Sequence, residues 1–310
     1  MSSVLPQWIL FNIFVIIMLA LDLGVFNKTP HEVKPKEALF WTVVWIVQAL
    51  LFNLGLYYWQ GTGPALQFLT GYVIEKSLSV DNIFVFLIIF SYFRVEAQYQ
   101  HKVLFWGIIG ALLMRGAFIA AGVALLENFD WIIYVFGGFL VLTGIKFGLQ
   151  KNKEIDPGTN PVLKLFRKIV PVTDTFINGR FFVKIDGRRF ATPLFVVLIA
   201  IETTDLIFAI DSIPAILSIT TDPFIVYTSN VFALLGLRSL FFAVASMMRL
   251  FHYLQYGLGV ILAFIGIKMM IVTIYKIPVG IALGVIAGVL LISVVVSVLR
   301  PPKEESPAKS

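Results

Sequence analysis

The 310-residue chain contains no cysteine and only three histidines, His31, His101 and His252. Zinc, copper and nickel sites are built from thiolates or clustered imidazoles, so those metals are excluded and any metal held in the membrane must be held by oxygen. Charge is also scarce. Charged residues make up 14% of the chain against 59% hydrophobic, and the apolar residues fall in long runs instead of short alternations, which excludes an ordinary soluble domain. There is no GxxxxGK[ST] phosphate loop, so the chain is not an ATPase of that type. None of its acids sits in the Gly-x-Gly-Asp turn of intramembrane aspartyl proteases, and no enzymatic activity is expected.

The long runs are what the sequence does have. They lie near 8–27, 38–59, 65–93, 102–125, 128–150, 191–218, 223–247, 251–274 and 277–299, and a span needs about 20 apolar residues. The expected fold is an all-α polytopic membrane protein of about nine transmembrane helices. The first run has no basic flank and no cleavage-like site, and it carries Asp22, so it reads as a retained helix and not a signal peptide. Basic residues test this count, because they gather in cytoplasmic loops. Eighteen follow odd-numbered runs, nine of them between 151 and 190, while Lys276 alone follows an even-numbered one. The N-terminus is therefore expected outside and the C-terminus in the cytoplasm. The net charge of +6 is explained by these loops, and no nucleic-acid partner is expected.

Between the fifth and sixth runs, PVLKLFRKIV at 161–170 reads as a short basic amphipathic helix on the cytoplasmic surface. Asp186-Gly187 within RFFVKIDGRRF marks a two-residue hairpin. The tail at 300–310, rich in Pro, Lys, Glu and Ser, reads as disordered.

A repeat search finds EKSLSVDNIF at 75–84 and DLIFAIDSIP at 205–214, each placing two carboxylates six residues apart in an apolar run. GALLMRG aligns with ALLGLRS, matching Arg115 to Arg238, and TGIKF aligns with IGIKM, matching Lys146 to Lys268. Each unit holds three runs, an odd number, so the second enters the membrane from the opposite side, as in many secondary transporters. The chain thus divides into two leading helices (1–64), repeat A (65–150), a cytoplasmic basic loop (151–190), repeat B (191–275), a last span (276–299) and the tail (300–310).

Six carboxylates, Asp22, Glu75, Asp81, Glu202, Asp205 and Asp211, lie within the runs. An acid at a helix centre costs roughly 2.5 to 3.5 kcal/mol to insert, so these need partners. Lys76, Arg115, Lys146, Arg238 and Lys268 offer charge pairing. Purely structural salt bridges are the plainest outcome, with Lys146 and Lys268 able to snorkel and Arg115 and Arg238 better placed as counter-ions. Glu202 and Asp205 share a helix face with Thr203 and Thr204 beside them. Asp211 lies about 240° further round a regular helix. Pro214 is expected to break that helix, freeing the Ile210 carbonyl and turning Asp211 and Ser212 back toward Asp205. Span three gathers Glu75, Ser77, Ser79, Asp81 and Asn82 in the same way. Such oxygen ligands suit Mn²⁺, Mg²⁺ or Ca²⁺ and do not choose among them.

GYVIEKSLSVDNIFVF at 71–86 and IETTDLIFAIDSIPAILSITTDPFIVYTSNVFALLGLR at 201–238 resemble the TerC family, most closely its Alx-type bacterial branch. The resemblance implies a bacterial inner-membrane protein linked to Mn²⁺ efflux and manganese homeostasis, with a historical tie to tellurite resistance. It implies cation handling by Asp22, Glu75, Asp81, Glu202, Asp205 and Asp211, with Mn²⁺ as the transported ion and no tightly bound cofactor. Protons are the natural coupling ion, and facilitated efflux satisfies the same residues. The other reading is a non-transporting membrane partner that delivers metal to, or scaffolds, other envelope proteins.

Overall fold

The computed structural model describes residues 4–24, 34–129, 131–149, 160–185, 187–246 and 253–299. The tail at 300–310 and position 186 fall outside them. Helices α1 (Val4–Gly24), α2 (Pro35–Gln60), α3 (Thr62–Tyr92), α4 (Ala97–Asn128) and α5 (Ile132–Leu149) come first. The connecting segment holds α6 (Pro161–Ile169) and strands β1 (Phe182–Ile185) and β2 (Arg188–Ala191), and then come α7 (Pro193–Leu217), α8 (Pro223–Leu235), α9 (Leu237–Ser246), α10 (Leu254–Met270) and α11 (Val279–Leu299).

Five of these helices, α2, α4, α5, α7 and α11, are long and apolar enough to cross a membrane, and α8 with α9 makes a sixth bent by 44°. Helices α1 and α10 are apolar but shorter over their described parts. Helix α3 runs for 31 residues with Glu75, Lys76 and Asp81 along its middle.

The connecting segment folds as the sequence suggests. Asn160 caps α6 by accepting from the backbone N–H groups of Val162 and Leu163. Strands β1 and β2 pair antiparallel with Ile185 opposite Arg188, and Gly187 takes φ +79, the left-handed conformation a two-residue turn requires. This ribbon marks one face of the bundle. Helix α7 leaves it directly after β2, and near the start of α4 Lys102 donates to the Gly179 carbonyl at 2.7 Å. Helix α3 therefore runs toward the ribbon and α7 away from it.

Two expectations need correction. Helix α7 is continuous through Pro214. The proline falls in its last turn, so the chain needs only three more helical residues, and the freed end is held by Ser218 N–H to the Pro214 carbonyl at 3.1 Å and by Lys268 Nζ to the Ser218 carbonyl at 2.7 Å. The run at 223–247, expected as one span, is instead broken at Gly236. There Lys76, reaching from α3, donates to the Ala233 carbonyl at 3.2 Å, a cation at the negative end of α8. A Cβ on Gly236 would stand 2.7 Å from Lys76 Nζ and 3.0 Å from Trp45 Cβ, so any larger residue there would shift the lysine from this position.

The bundle packs with a reciprocal pattern. Helix α3 lies against α8 and α4 against α7, while α5 and α10 form the most extensive contact of all. In that last pair a Cβ on Gly137 would meet the Gly266 carbonyl at 2.8 Å and one on Gly144 the Gly259 carbonyl at 2.5 Å. Small residues let the two backbones touch, the usual route to helix association in lipid.

Candidate functional site

The polar centre of the bundle is built around Arg115, midway along α4 and only 1% exposed. Its guanidinium forks Asp205 of α7, with Nε donating to Oδ2 at 3.3 Å and Nη2 to Oδ1 at 3.1 Å. Nη1 donates to Glu75 Oε1 of α3, to Asn230 Oδ1 of α8 at 3.1 Å and, at 3.4 Å, to Ser212 Oγ. A planar, always-charged fork can satisfy this many acceptors at once, where a lysine could not. Glu75 and Asp205 are 1% and 2% exposed, and neither would be tolerated as an ion in this position without a counter-charge.

With both carboxylates ionised, the cluster carries two negative charges against one positive. Glu75 also keeps its second oxygen, Oε2, buried and without a hydrogen-bond partner. A fully buried acceptor is costly to leave unmade, and this one belongs to the cluster's most enclosed acid. The site thus has both the charge and the free lone pairs that a hard cation would use.

Of the residues singled out in the sequence, the structure brings together Glu75, Asp205, Arg115 and, more loosely, Ser212. Asp81 and Asn82 are buried on α3 beyond Glu75. Because α3 is continuous, Asp81 is turned away by the same 240° that separates Asp211 from Asp205. Asp211 accepts from Thr143 Oγ1 of α5 at 3.2 Å. Glu202 lies one turn before Asp205 on α7, half-buried against Gly110 of α4. Among the described residues no three Asp, Glu or His side chains stand close enough to hold a metal ion together. The side chain of Asp22 lies outside the described residues, as do His31 and His252.

The remaining basic residues part company. Arg238, at the start of α9, lines a small cavity of about 10 Å³ with Asp205, Phe86, Gly107 and Ile201, room for roughly one water centre. Lys268 is buried on the α7 terminus, while Lys146 is exposed on α5. Thr203 and Thr204 bond back to the carbonyls of Ile199 and Ala200. Asn230 and Thr143 were not anticipated. Asn230 had a signal, since an amide inside an apolar run must find a partner; Thr143 had none, because a threonine can satisfy itself on its own helix.

A cluster joining the two acidic motifs through one arginine is a property of both motifs together, and both fall within a single family match. The sequence model of the Integral membrane protein TerC family matches residues 60–305. The chain belongs to the TerC family. The matched residues include Glu75, Asp81, Arg115, Glu202, Asp205 and Asp211 and leave out Asp22. An uncharacterized membrane protein of Myxococcus xanthus is 53% identical over 94% of this chain and 92% of its own length. The Alx protein of Escherichia coli (strain K12), whose name suggests a membrane-bound redox modulator, is 47% identical over 94% of this chain and 93% of its own. A Rickettsia bellii membrane protein is 41% identical over 95% and 97%. No solved structure matches the chain.

Proposed function

We propose that this TerC family protein is a transporter exporting a hard divalent cation, Mn²⁺, through the centre formed by Glu75, Asp205 and Arg115. The observation that carries the proposal is the convergence of the first acid of each motif on one buried guanidinium. Arg115 balances the acids when no cation is there, and a divalent cation that replaces it at the carboxylates would be bound by charge and released by Arg115's return. A site with a built-in competing cation binds without becoming a trap.

Nine spans result if α1, α3 and α10 are counted with the five long helices and the bent α8–α9 pair, each shortfall having a local cause in charge or length. The inverted repeat is favoured by the glycine contacts of α5 and α10. Displacing Gly137 and Gly144 by the spacing between Lys146 and Lys268 gives Gly259 and Gly266, and each glycine touches the counterpart of the other. A two-fold relation between units makes such contacts, and it makes α3 with α8 mirror α4 with α7. Asp81 and Asp211 then flank the centre on opposite sides as outer stations. The ribbon face is cytoplasmic by its basic residues, in a bacterial inner membrane, with protons as the exchanged ion. Asn82 lies beside the inner station, and Asp22 is assigned as a second station nearer the cytoplasm.

The redox role suggested by the relatives' name has no thiol to act through in a chain without cysteine, and metal supply to other envelope proteins would deliver such an effect indirectly. Purified protein in liposomes containing a Mn²⁺-sensitive dye, with an imposed pH gradient, tests the proposal. Flux that collapses in Asp205→Asn is expected. Mn²⁺ binding without flux would favour the metal-delivering partner.

A further inference from the structure

If the two units are related by a two-fold, each residue of α3 has a counterpart on α7, and the interesting positions are those where chemistry differs. Glu75 matches Asp205 and Asp81 matches Asp211, acid for acid. One turn before the central acid the match fails: α7 carries Glu202, and α3 carries Tyr72.

Both stand at mirrored depths. Glu202 is nine residues past Pro193, about 13 Å in from the ribbon face, and Tyr72 is ten past Thr62, about 15 Å in from the opposite face. The Glu202 carboxylate lies directly on the α4 backbone at Gly110, where a Cβ would collide with both its oxygens. Its Oε2 is buried without a hydrogen-bond partner. Gly110 is five residues nearer the ribbon than Arg115 on α4, so Glu202 stands between the ribbon face and the guanidinium. Tyr72 is 5% exposed, stacked on Phe68 at 6.3 Å, and its hydroxyl is likewise buried without a partner. Next to the centre, among the described residues, the ribbon-side approach therefore adds to Asp81 a carboxylate whose Oε2 has no hydrogen-bond partner, and the opposite approach adds to Asp211 a phenol.

We infer that Glu202 makes cation entry one-sided: it captures a divalent cation arriving from the ribbon face and passes it along one helical turn to Asp205, while Tyr72 offers the opposite face no equivalent carboxylate. This rests on the transporter reading above and assigns its direction to one residue pair. Two oxygens of Glu202 and Asp205, i and i+3 on one helix face, let the cation be held by one while it is received by the other. The absence of side-chain bulk at Gly110 is what lets the carboxylate lie flat in the helix interface.

The chain's lack of cysteine makes the test clean, because Lys184→Cys in the exposed part of β1 reports with an impermeant maleimide which face of a vesicle is outward. Radioactive Mn²⁺ uptake is measured in everted and right-side-out membrane vesicles bearing the full chain. Glu202→Gln should raise the half-saturating Mn²⁺ concentration at least about tenfold from the ribbon face, as loss of one charged ligand implies, and leave the value from the opposite face unchanged. Glu202→Asp should restore the lost affinity, and Tyr72→Glu should improve capture from the opposite face. An equal change from both faces, or none from either, would overturn the inference. Unaltered protein that moves no Mn²⁺ from either face would overturn the transporter reading itself, a result distinguishable from both.

Discussion

Arg115 holds Asp205 by two parallel hydrogen bonds, at 3.3 and 3.1 Å, where neither side chain is more than 3% exposed. Bidentate pairing of this kind fixes orientation as well as charge. It also fixes how α4 and α7 meet, and through Nη1 it adds Glu75 of α3 and Asn230 of α8 to the same junction.

Removing the arginine should therefore cost more than removing either acid. Arg115→Met leaves two buried carboxylates uncompensated and should destabilise the protein by about 3 to 5 kcal/mol, read as a fall in thermal unfolding temperature in detergent. Adding Glu75→Gln and Asp205→Asn to Arg115→Met should recover much of that loss, and the recovered protein should move no Mn²⁺. A triple variant as unstable as the single one would contradict the charge account.

The α5–α10 contact predicts a contrast within one helix. Gly144→Ala drives a Cβ to 2.5 Å from the Gly259 carbonyl, whereas a Cβ at Gly148 meets nothing within 4 Å. Gly144→Ala should lower stability by about 1 to 3 kcal/mol as overpacking does, and Gly148→Ala should not, by the same unfolding measurement.

Lysines at matching repeat positions should also behave differently. Lys268 is buried and holds the Ser218 carbonyl at the end of α7, while Lys146 is exposed. Lys268→Met leaves that carbonyl unmade and should cost about 1 to 3 kcal/mol, with Lys146→Met near neutral. Equal losses would mean that the hydrogen bond contributes nothing.

Much of this architecture was legible from local features. Asp186-Gly187 announced the ribbon because a two-residue turn needs a left-handed residue, and Gly187 takes that conformation. The expected gathering of Asp211 with Asp205, and of Asp81 with Glu75, does not occur, because both helices run on and six residues of regular helix turn the second acid about 240° away. What could not be read were outcomes decided by residues far along the chain. Pro214 does not break α7, because it falls in the last turn, and Lys268, 50 residues on, holds the carbonyl just past that end. Helix α8 does break, at Gly236, where Lys76 arrives from 157 residues away to bind Ala233. Both guanidiniums of the matched motifs turn inward, yet Arg115 alone forks Asp205 while Arg238 lines the small cavity beside it, a division that only the packing of distant helices decides.

The central claim is that the Glu75–Arg115–Asp205 centre carries the cation. The most direct test is Mn²⁺ flux into dye-loaded proteoliposomes, comparing the unaltered protein with Asp205→Asn at equal reconstituted amounts. The account predicts clear flux in the first and a loss of at least about tenfold in the second, with the variant still folded. Undiminished flux in folded Asp205→Asn would contradict it.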